Sequence, residues 1–193
     1  VHIHCYRHDD IEGIFRVMDR FGVQVASIQH ALEAYKVRDI LAAHGTGIAT
    51  WADWWGFKLE AHDAVVQNAG LLSQQDVMTI IHSDSAIGMQ RLNQEAAKAL
   101  GAGRRMGIDI ADEVAWTWLA INPARAMGIA DQTGSLKVGK MADVVLWNGN
   151  PFSTYTRPEK VWIDGALLYD SANPKRRPVS DFELGQIGAG DVK

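Results

Sequence analysis

The sequence contains a single cysteine, Cys5, so an internal disulfide framework is excluded. That usage fits a reducing compartment, and a cytoplasmic location is the expectation. No apolar run approaches the ~18 residues that span a bilayer, so no membrane partner is expected. Nineteen Lys and Arg face 23 Asp and Glu, for a formal net charge of -4. No overall basic field is present to gather nucleic acid. A glycine-rich phosphate loop is missing, and so is a Gly-x-Ser-x-Gly elbow for a nucleophilic serine. Neither a repeat nor a low-complexity tract occurs, and the sequence as given starts at Val1. What remains is an ordinary globular composition, 47% hydrophobic and 22% charged. The 193 residues suit one large domain, or one domain with a small companion. Seven tryptophans favour large packed aromatic surfaces or a pocket lining.

Hydrophobic patterning alternates strands with helices over the first two thirds of the chain. Residues 1–4 read as a strand, with Asp9 or Asp10 as a helix N-cap behind it. Ile11, Ile14, Phe15, Met18 and Phe21 keep one helical face apolar, and Gly22 stops that helix. Strands are expected at 23–30, 47–51 and 77–81. Helices are expected at 33–44, 59–68, 87–100, 110–121 and 123–127, with Gly45 ending the first of these and Asn122 capping the last. This order predicts a parallel sheet covered by helices, an α/β fold. The pattern then changes. Residues 142–147, 160–163 and 166–169 read as short strands, the last two joined by the tight-hairpin pair Asp164-Gly165. The expected division is therefore 1–130, 131–170 and a tail at 171–193 holding Pro174, Lys175, Arg176, Arg177 and Pro178.

The chemistry concentrates at strand ends. His4, His30 and Asp84 each stand at or just beyond the end of a strand, and one rim of a parallel sheet collects such residues. Imidazole and carboxylate together suit zinc, iron or manganese, and three ligands with an open position make a hydrolytic metal site. Each histidine could equally be a hydrogen-bonded structural residue, and Asp84 could cap the next helix. Of His2 and His4, only one is expected to face the site, and His4 lies nearer the strand end. Arg7 suits a substrate carboxylate, or a salt bridge to Asp9 or Asp10. His82 either reaches the pocket or packs within its strand. Trp51, Trp54 and Trp55 wall a pocket or belong to the core. His8 is expected to be solvated, His44 and His62 to lie on the surface, and Cys5 to be a small buried residue.

Four stretches carry a family resemblance. They are Val-His-Ile-His-Cys-Tyr-Arg around His4, Ser-Ile-Gln-His-Ala around His30, Ile-Ile-His-Ser-Asp-Ser around Asp84, and the run 120–145 through Asn-Pro-Ala-Arg and Leu-Lys-Val-Gly-Lys-Met-Ala-Asp. The chain resembles the C-terminal half of the metal-dependent amidohydrolase superfamily, in its imidazolonepropionase-related and prolidase-like branch. The resemblance implies strands five to eight of a (β/α)8 barrel followed by part of a small β-sandwich domain. It implies metal ligation by His4, His30 and Asp84, most readily of zinc. It gives catalytic roles to His30 and Asp84, the latter as general base, and substrate contacts to Tyr6, Arg7 and His82. Relatives carry a second histidine where Tyr6 stands. Hydrolysis of amide or other C–N bonds in a small molecule is the expected activity. A non-catalytic fragment or relative that keeps the fold for assembly is the alternative. The expected partner is a missing N-terminal half, or a second copy that covers the open barrel edges.

Overall fold

A computed structural model describes residues 1–54 and 56–176. Trp55 and the tail from Arg177 onward lie outside the described residues. The chain divides into two compact units, the first Val1–Ala130 and the second beginning at Asp131.

The first unit runs β1 (His2–His4), α1 (His8–Phe21), β2 (Ser27–Gln29), α2 (Arg38–His44), β3 (Gly47–Thr50), α3 (Asn68–Gln74), β4 (Thr79–Ile81), α4 (Leu92–Arg105), α5 (Asp112–Thr117) and α6 (Ile121–Ala126). The four strands form one parallel sheet in sequential order. Such a sheet is covered on both faces, and every residue of β3 and β4 is buried. Ile28 and Ile48 from the sheet pack with Ile11 and Phe15 of α1, Leu41 of α2 and Leu72 of α3. The expected α/β order is therefore present.

Several element boundaries differ from the sequence expectation, each for a local reason. Arg7, not Asp9 or Asp10, holds the N-cap of α1 in extended backbone, while the two aspartates occupy the first turn. There they still complement the positive end of the helix dipole. Gly22 and Gly45 end α1 and α2 at φ of 63° and 64°, a conformation that favours glycine. The second strand is confined to Ser27–Gln29, and the helix expected at 33–44 is split into a 3-10 turn at Ala34–Lys36 and α2. Residues 59–68 form only a 3-10 turn at Leu59–Ala61, and a helix begins where that segment was expected to end. Met89 lies in a 3-10 turn before α4 and is exposed. Asn122 is not a cap. It lies inside α6, buried, and its Nδ2 donates to the Thr79 carbonyl and to Thr117 Oγ1.

The second unit holds β5 (Val144–Trp147), β6 (Pro158–Ile163) and β7 (Ala166–Asp170), an antiparallel sheet with β6 central. Asp164 and Gly165 both take positive φ, 49° and 79°, as a two-residue type I′ hairpin requires. Among the described residues, no helix is long and apolar enough to cross a membrane.

Candidate active site

The C-terminal ends of β1, β2 and β4 place His4, His30 and Asp84 on one rim. His4 is the last residue of β1. His30 follows β2 and turns out of the strand at φ 71°, and Asp84 leaves the β4 segment at φ 47°. Positive φ is uncommon for residues other than glycine, and here it redirects both side chains where the strands stop. His4 Nδ1 lies 2.7 Å from His30 Nε2, a hydrogen bond between two imidazoles. His30 Nδ1 lies 4.0 Å from Asp84 Oδ2, beyond hydrogen-bond reach, and has no other hydrogen-bond partner. The His30 side chain is 7% exposed and that of Asp84 62%.

His2 and His4 do not separate by face as expected. Side chains two apart on a strand share a face, so what distinguishes the two is depth along it. His2 Nδ1 pairs with Ser27 Oγ at 2.7 Å, two residues below the rim, while His4 meets His30. Asp84 does not cap the following turn. That work falls to Ser85, whose Oγ accepts from the Gly88 amide at 3.0 Å.

Aromatic rings surround the pair of histidines. Tyr6 stacks on His30 with centroids 5.0 Å apart and planes 17° apart. Trp51 lies 5.2 Å from His30 and 4.8 Å from His82. His82 stands just past the end of β4, its ring 5.2 Å from that of His30, and its buried Nε2 has no hydrogen-bond partner. Burial, and next the neighbouring His30, hold its pKa down to about 4 against the pull of Asp84. Burial likewise lowers the pKa of His30, partly offset by Asp84 and reinforced by His4 and Lys58. Both shifts favour the neutral imidazole, which has a lone pair to offer. A cavity of about 400 Å³ opens beside them, lined by Tyr6, Trp51, Trp54, Phe57 and Asp84.

Other residues hold this rim in place. Glu33 accepts from the His8 amide and from His8 Nδ1 at 2.5 Å, and its own amide donates to the Tyr6 carbonyl. His8 is therefore paired rather than solvated. Burial raises the Glu33 pKa, but His8 and Lys36 outweigh it and the net shift is down. Arg7 is taken up by Asp9, at 2.9 and 3.0 Å, the salt-bridge alternative. His44 is half-buried, stacked 4.1 Å from Phe15 and tied to the Ile40 carbonyl. His62 is exposed beside Asp63. Cys5 is buried, and burial pushes its thiol up to about 11. Sequence reasoning missed Glu33, Phe57 and Lys58, and also Glu95, whose carboxylate accepts from the Ala52 amide at 2.6 Å. Each acts across long sequence separation, which periodicity does not report.

Among the described residues, no three His, Cys, Asp or Glu side chains stand as placed in a geometry that holds a metal ion. Nitrogens bound at ~2.0–2.1 Å in a tetrahedral zinc site stand about 3.4 Å apart, so His4 and His30 would have to part by roughly 0.7 Å. The donor set nevertheless fits such an ion in kind: two neutral imidazoles, one with a buried nitrogen lacking a partner, and a carboxylate beside it.

Comparison with known proteins gives the family. The amidohydrolase family model matches residues 1–168, and the chain belongs to that family. It is 29% identical over 197 residues to the amidohydrolase tasK of Hapsidospora irregularis, covering 100% of this chain and 20% of that protein. It is 32% identical over 115 residues to urease subunit alpha 2 of Streptomyces coelicolor, 52% of this chain and 20% of the relative. Among solved structures, an amidohydrolase from Thermotoga maritima matches with a TM-score of 0.77 at 29% identity, over 88% of this chain and 43% of that one. An adenosine deaminase from Xanthomonas campestris with bound zinc shares the fold at a TM-score of 0.68 and 16% identity, over 95% and 48%. The chain thus spans a fifth of these curated relatives and under half of these solved chains.

Proposed function

We propose that this chain carries metal-binding and proton-transfer residues of a hydrolase that cleaves amide or other C–N bonds in small molecules. The observation behind this reading is the meeting of His4, His30 and Asp84 at the ends of three strands of one parallel sheet, β1, β2 and β4. These three would hold a divalent ion, zinc first and iron or manganese next, which brings a bound water toward its hydroxide form near neutral pH. The chain's own residues do the rest. Asp84, exposed and not engaged in capping, accepts the proton of the attacking water and delivers it to the leaving nitrogen. His30 is kept neutral by burial and oriented by its stack on Tyr6. Tyr6 and Trp51 shape the pocket, and His82 packs on Trp51 behind it. Arg7, committed to Asp9, has no part in it.

The same reading takes the parallel sheet as strands five to eight of a (β/α)8 barrel in the imidazolonepropionase-related or prolidase-like branch, and the second unit as part of a small β-sandwich domain. One feature supports this: β1 pairs on one side only, with His2 and His4 exposed, whereas the outer edge of β4 is already met by Asn122 Nδ2 at the Thr79 carbonyl and by the Trp118 carbonyl at the Ile81 amide. Unpaired strand edges favour a cover, here an N-terminal half or a second copy. The alternative, a non-catalytic relative kept for assembly, shares that cover and differs in the metal.

Zinc titration by competition with a chromophoric chelator tests the reading, with amide hydrolysis assayed on the same samples. His30→Asn and Asp84→Asn are expected to weaken zinc binding at least about tenfold each. Unchanged zinc affinity in both variants would remove the catalytic reading and leave the assembly one. Sedimentation of the same samples should reveal self-association, and a sharp monomer that binds no exposed-surface dye would sink the covered edge.

A further inference from the structure

The cavity beside His30 has aromatic walls with Asp84 among them, and an uncompensated cation stands against two of the rings that line it. Four cations stand near this rim. Arg7 pairs with Asp9, Lys36 with Glu33 and Asp63, and Lys98 with Asp53 and Glu95. Lys58 makes no ion pair among the described residues. Its Nζ instead lies 3.7 Å from the centroid of the Tyr6 ring and 5.6 Å from that of Phe57. Those two rings also line the cavity, with Trp51, Trp54 and Asp84. Its charge reaches as far as His30.

We propose that Lys58 reads an anionic group on the substrate, so that the cavity takes a small amide whose flat or apolar part lies against Trp51, Trp54 and Phe57 and whose carboxylate meets the Lys58 ammonium. That the substrate is an amide rests on the hydrolase reading above; recognition of an aromatic carboxylate does not. A volume of about 400 Å³ suits a molecule of that size. The choice of an anion follows from occupancy. The Tyr6 face already holds a cation, so a cationic ligand would meet like-charge repulsion and have to displace Lys58. An anion adds to the existing contact, keeping the ammonium on the ring while supplying the counter-charge it lacks. Asp84 lines the same cavity and repels the anion, which confines the carboxylate to the Lys58 side and leaves the uncharged part of the ligand toward Asp84 and the histidines. Arg7, the residue whose chemistry first suggested this role, is occupied by Asp9, and Lys58 takes its place.

Isothermal titration calorimetry on the full chain decides the matter with three probes of one shape: phenylacetate, phenylacetamide and phenethylamine. Phenylacetate is expected to bind tightest. Lys58→Met should weaken phenylacetate about fivefold and leave phenylacetamide unchanged, while Lys58→Arg should keep phenylacetate within about twofold. Circular dichroism confirms that each variant is folded, as the exposed position of Lys58 leads one to expect. Equal affinity for phenylacetate and phenylacetamide, tighter binding of phenethylamine, absence of any binding, or indifference to Lys58→Met would each overturn the proposal. Binding needs neither metal nor turnover. A chain that binds phenylacetate through Lys58 but hydrolyses nothing overturns only the hydrolase reading, and one that hydrolyses amides with Lys58→Met unaltered overturns only this one.

Discussion

The two sheets of this chain are ordered by different means. In the parallel sheet Ser27, Thr50 and Thr79 are fully buried, and Asn68 stands buried behind them at the start of α3. In the second unit no residue from 131 to 176 is buried, and Val145, Leu146, Ile163 and Leu168 of its strands are exposed. The first sheet depends on an interior where every polar atom must find a partner. The second depends on its ladder and on turns whose hydrogen bonds face water. Polar substitutions should therefore be costly in one and nearly silent in the other.

Asn68 gives the largest contrast. Its Oδ1 accepts from the Tyr35 amide at 3.0 Å, and its Nδ2 donates to the Ala31 carbonyl and to Thr50 Oγ1. It thus joins the loop after β2, the end of β3 and the first turn of α3. Asn68→Ala leaves the Tyr35 amide without a partner and removes one of two bonds from the Ala31 carbonyl and from the Thr50 hydroxyl, which keep Ala34 and Trp51, and should destabilise the first unit by about 2 kcal/mol in urea unfolding. Thr133→Ala in the second unit, which removes a bond from Thr133 Oγ1 to Asp143, should cost no more than about 0.5 kcal/mol. Comparable losses in the two variants would erase the distinction between the sheets.

The same contrast separates what was legible in the sequence from what was not. The ionisable residues His4, His30 and Asp84 mark where parallel strands end, because a charged group is costly between covered faces, whereas the hydroxyls of Ser27, Thr50 and Thr79 stay inside by hydrogen bonding. Asp164-Gly165 was legible because a type I′ turn demands positive φ at both positions. Helix starts were less so. The expected helix at 59–68 was drawn from local apolar content, whereas Asn68 begins α3 with its side chain turned into the interior, toward partners up to 37 residues away. Glu33 and Lys58 escaped for a similar reason: a charged residue in a loop reads as solvated until its partners across the fold are known. Arg7 shows the reverse. Its chemistry suits a substrate carboxylate, but the nearest carboxylate in sequence, Asp9, reaches it first.

A smaller effect is expected where α3 and α4 approach. A Cβ on Gly103 would lie 2.9 Å from Ile110 Cδ1 and 3.5 Å from Gly70 Cα. Gly103→Ala gains about 1 kcal/mol in helix propensity, and the overlap costs about 2 kcal/mol, for a net loss of about 1 kcal/mol. Ile110→Val removes the offending methyl and should by itself lose about 1 kcal/mol. The double variant should then be more stable than the sum of the singles by about 1 kcal/mol or more. Strict additivity would place the strain of Gly103→Ala elsewhere and weaken the picture of a tightly packed first unit.

The smallest effect lies in the second unit and depends on pH. Asp143 Oδ1 accepts from the Asp164 amide at 2.9 Å, and Oδ2 from Thr133 Oγ1 at 2.8 Å. The amide bond, and next the hydroxyl, lower the Asp143 pKa below its ordinary value of 3.8. A carboxylate with a depressed folded-state pKa contributes stability that is present above its unfolded value and lost as pH falls through the lowered one. The hairpin should therefore hold at pH 5 and loosen only below 3.8, and the change should be confined to residues near the turn. The Asp164 amide proton followed by NMR should titrate with a midpoint under 3.8, and Asp143→Asn should flatten that titration while its side-chain carbonyl keeps the bond. Because these bonds face water, the shift should leave the amides of β3 and β4 undisturbed. A concerted loss of β3 and β4 protection at the same pH would mean that the two sheets are coupled through the charge of one surface carboxylate, and the comparison between a buried and a solvated order would no longer stand.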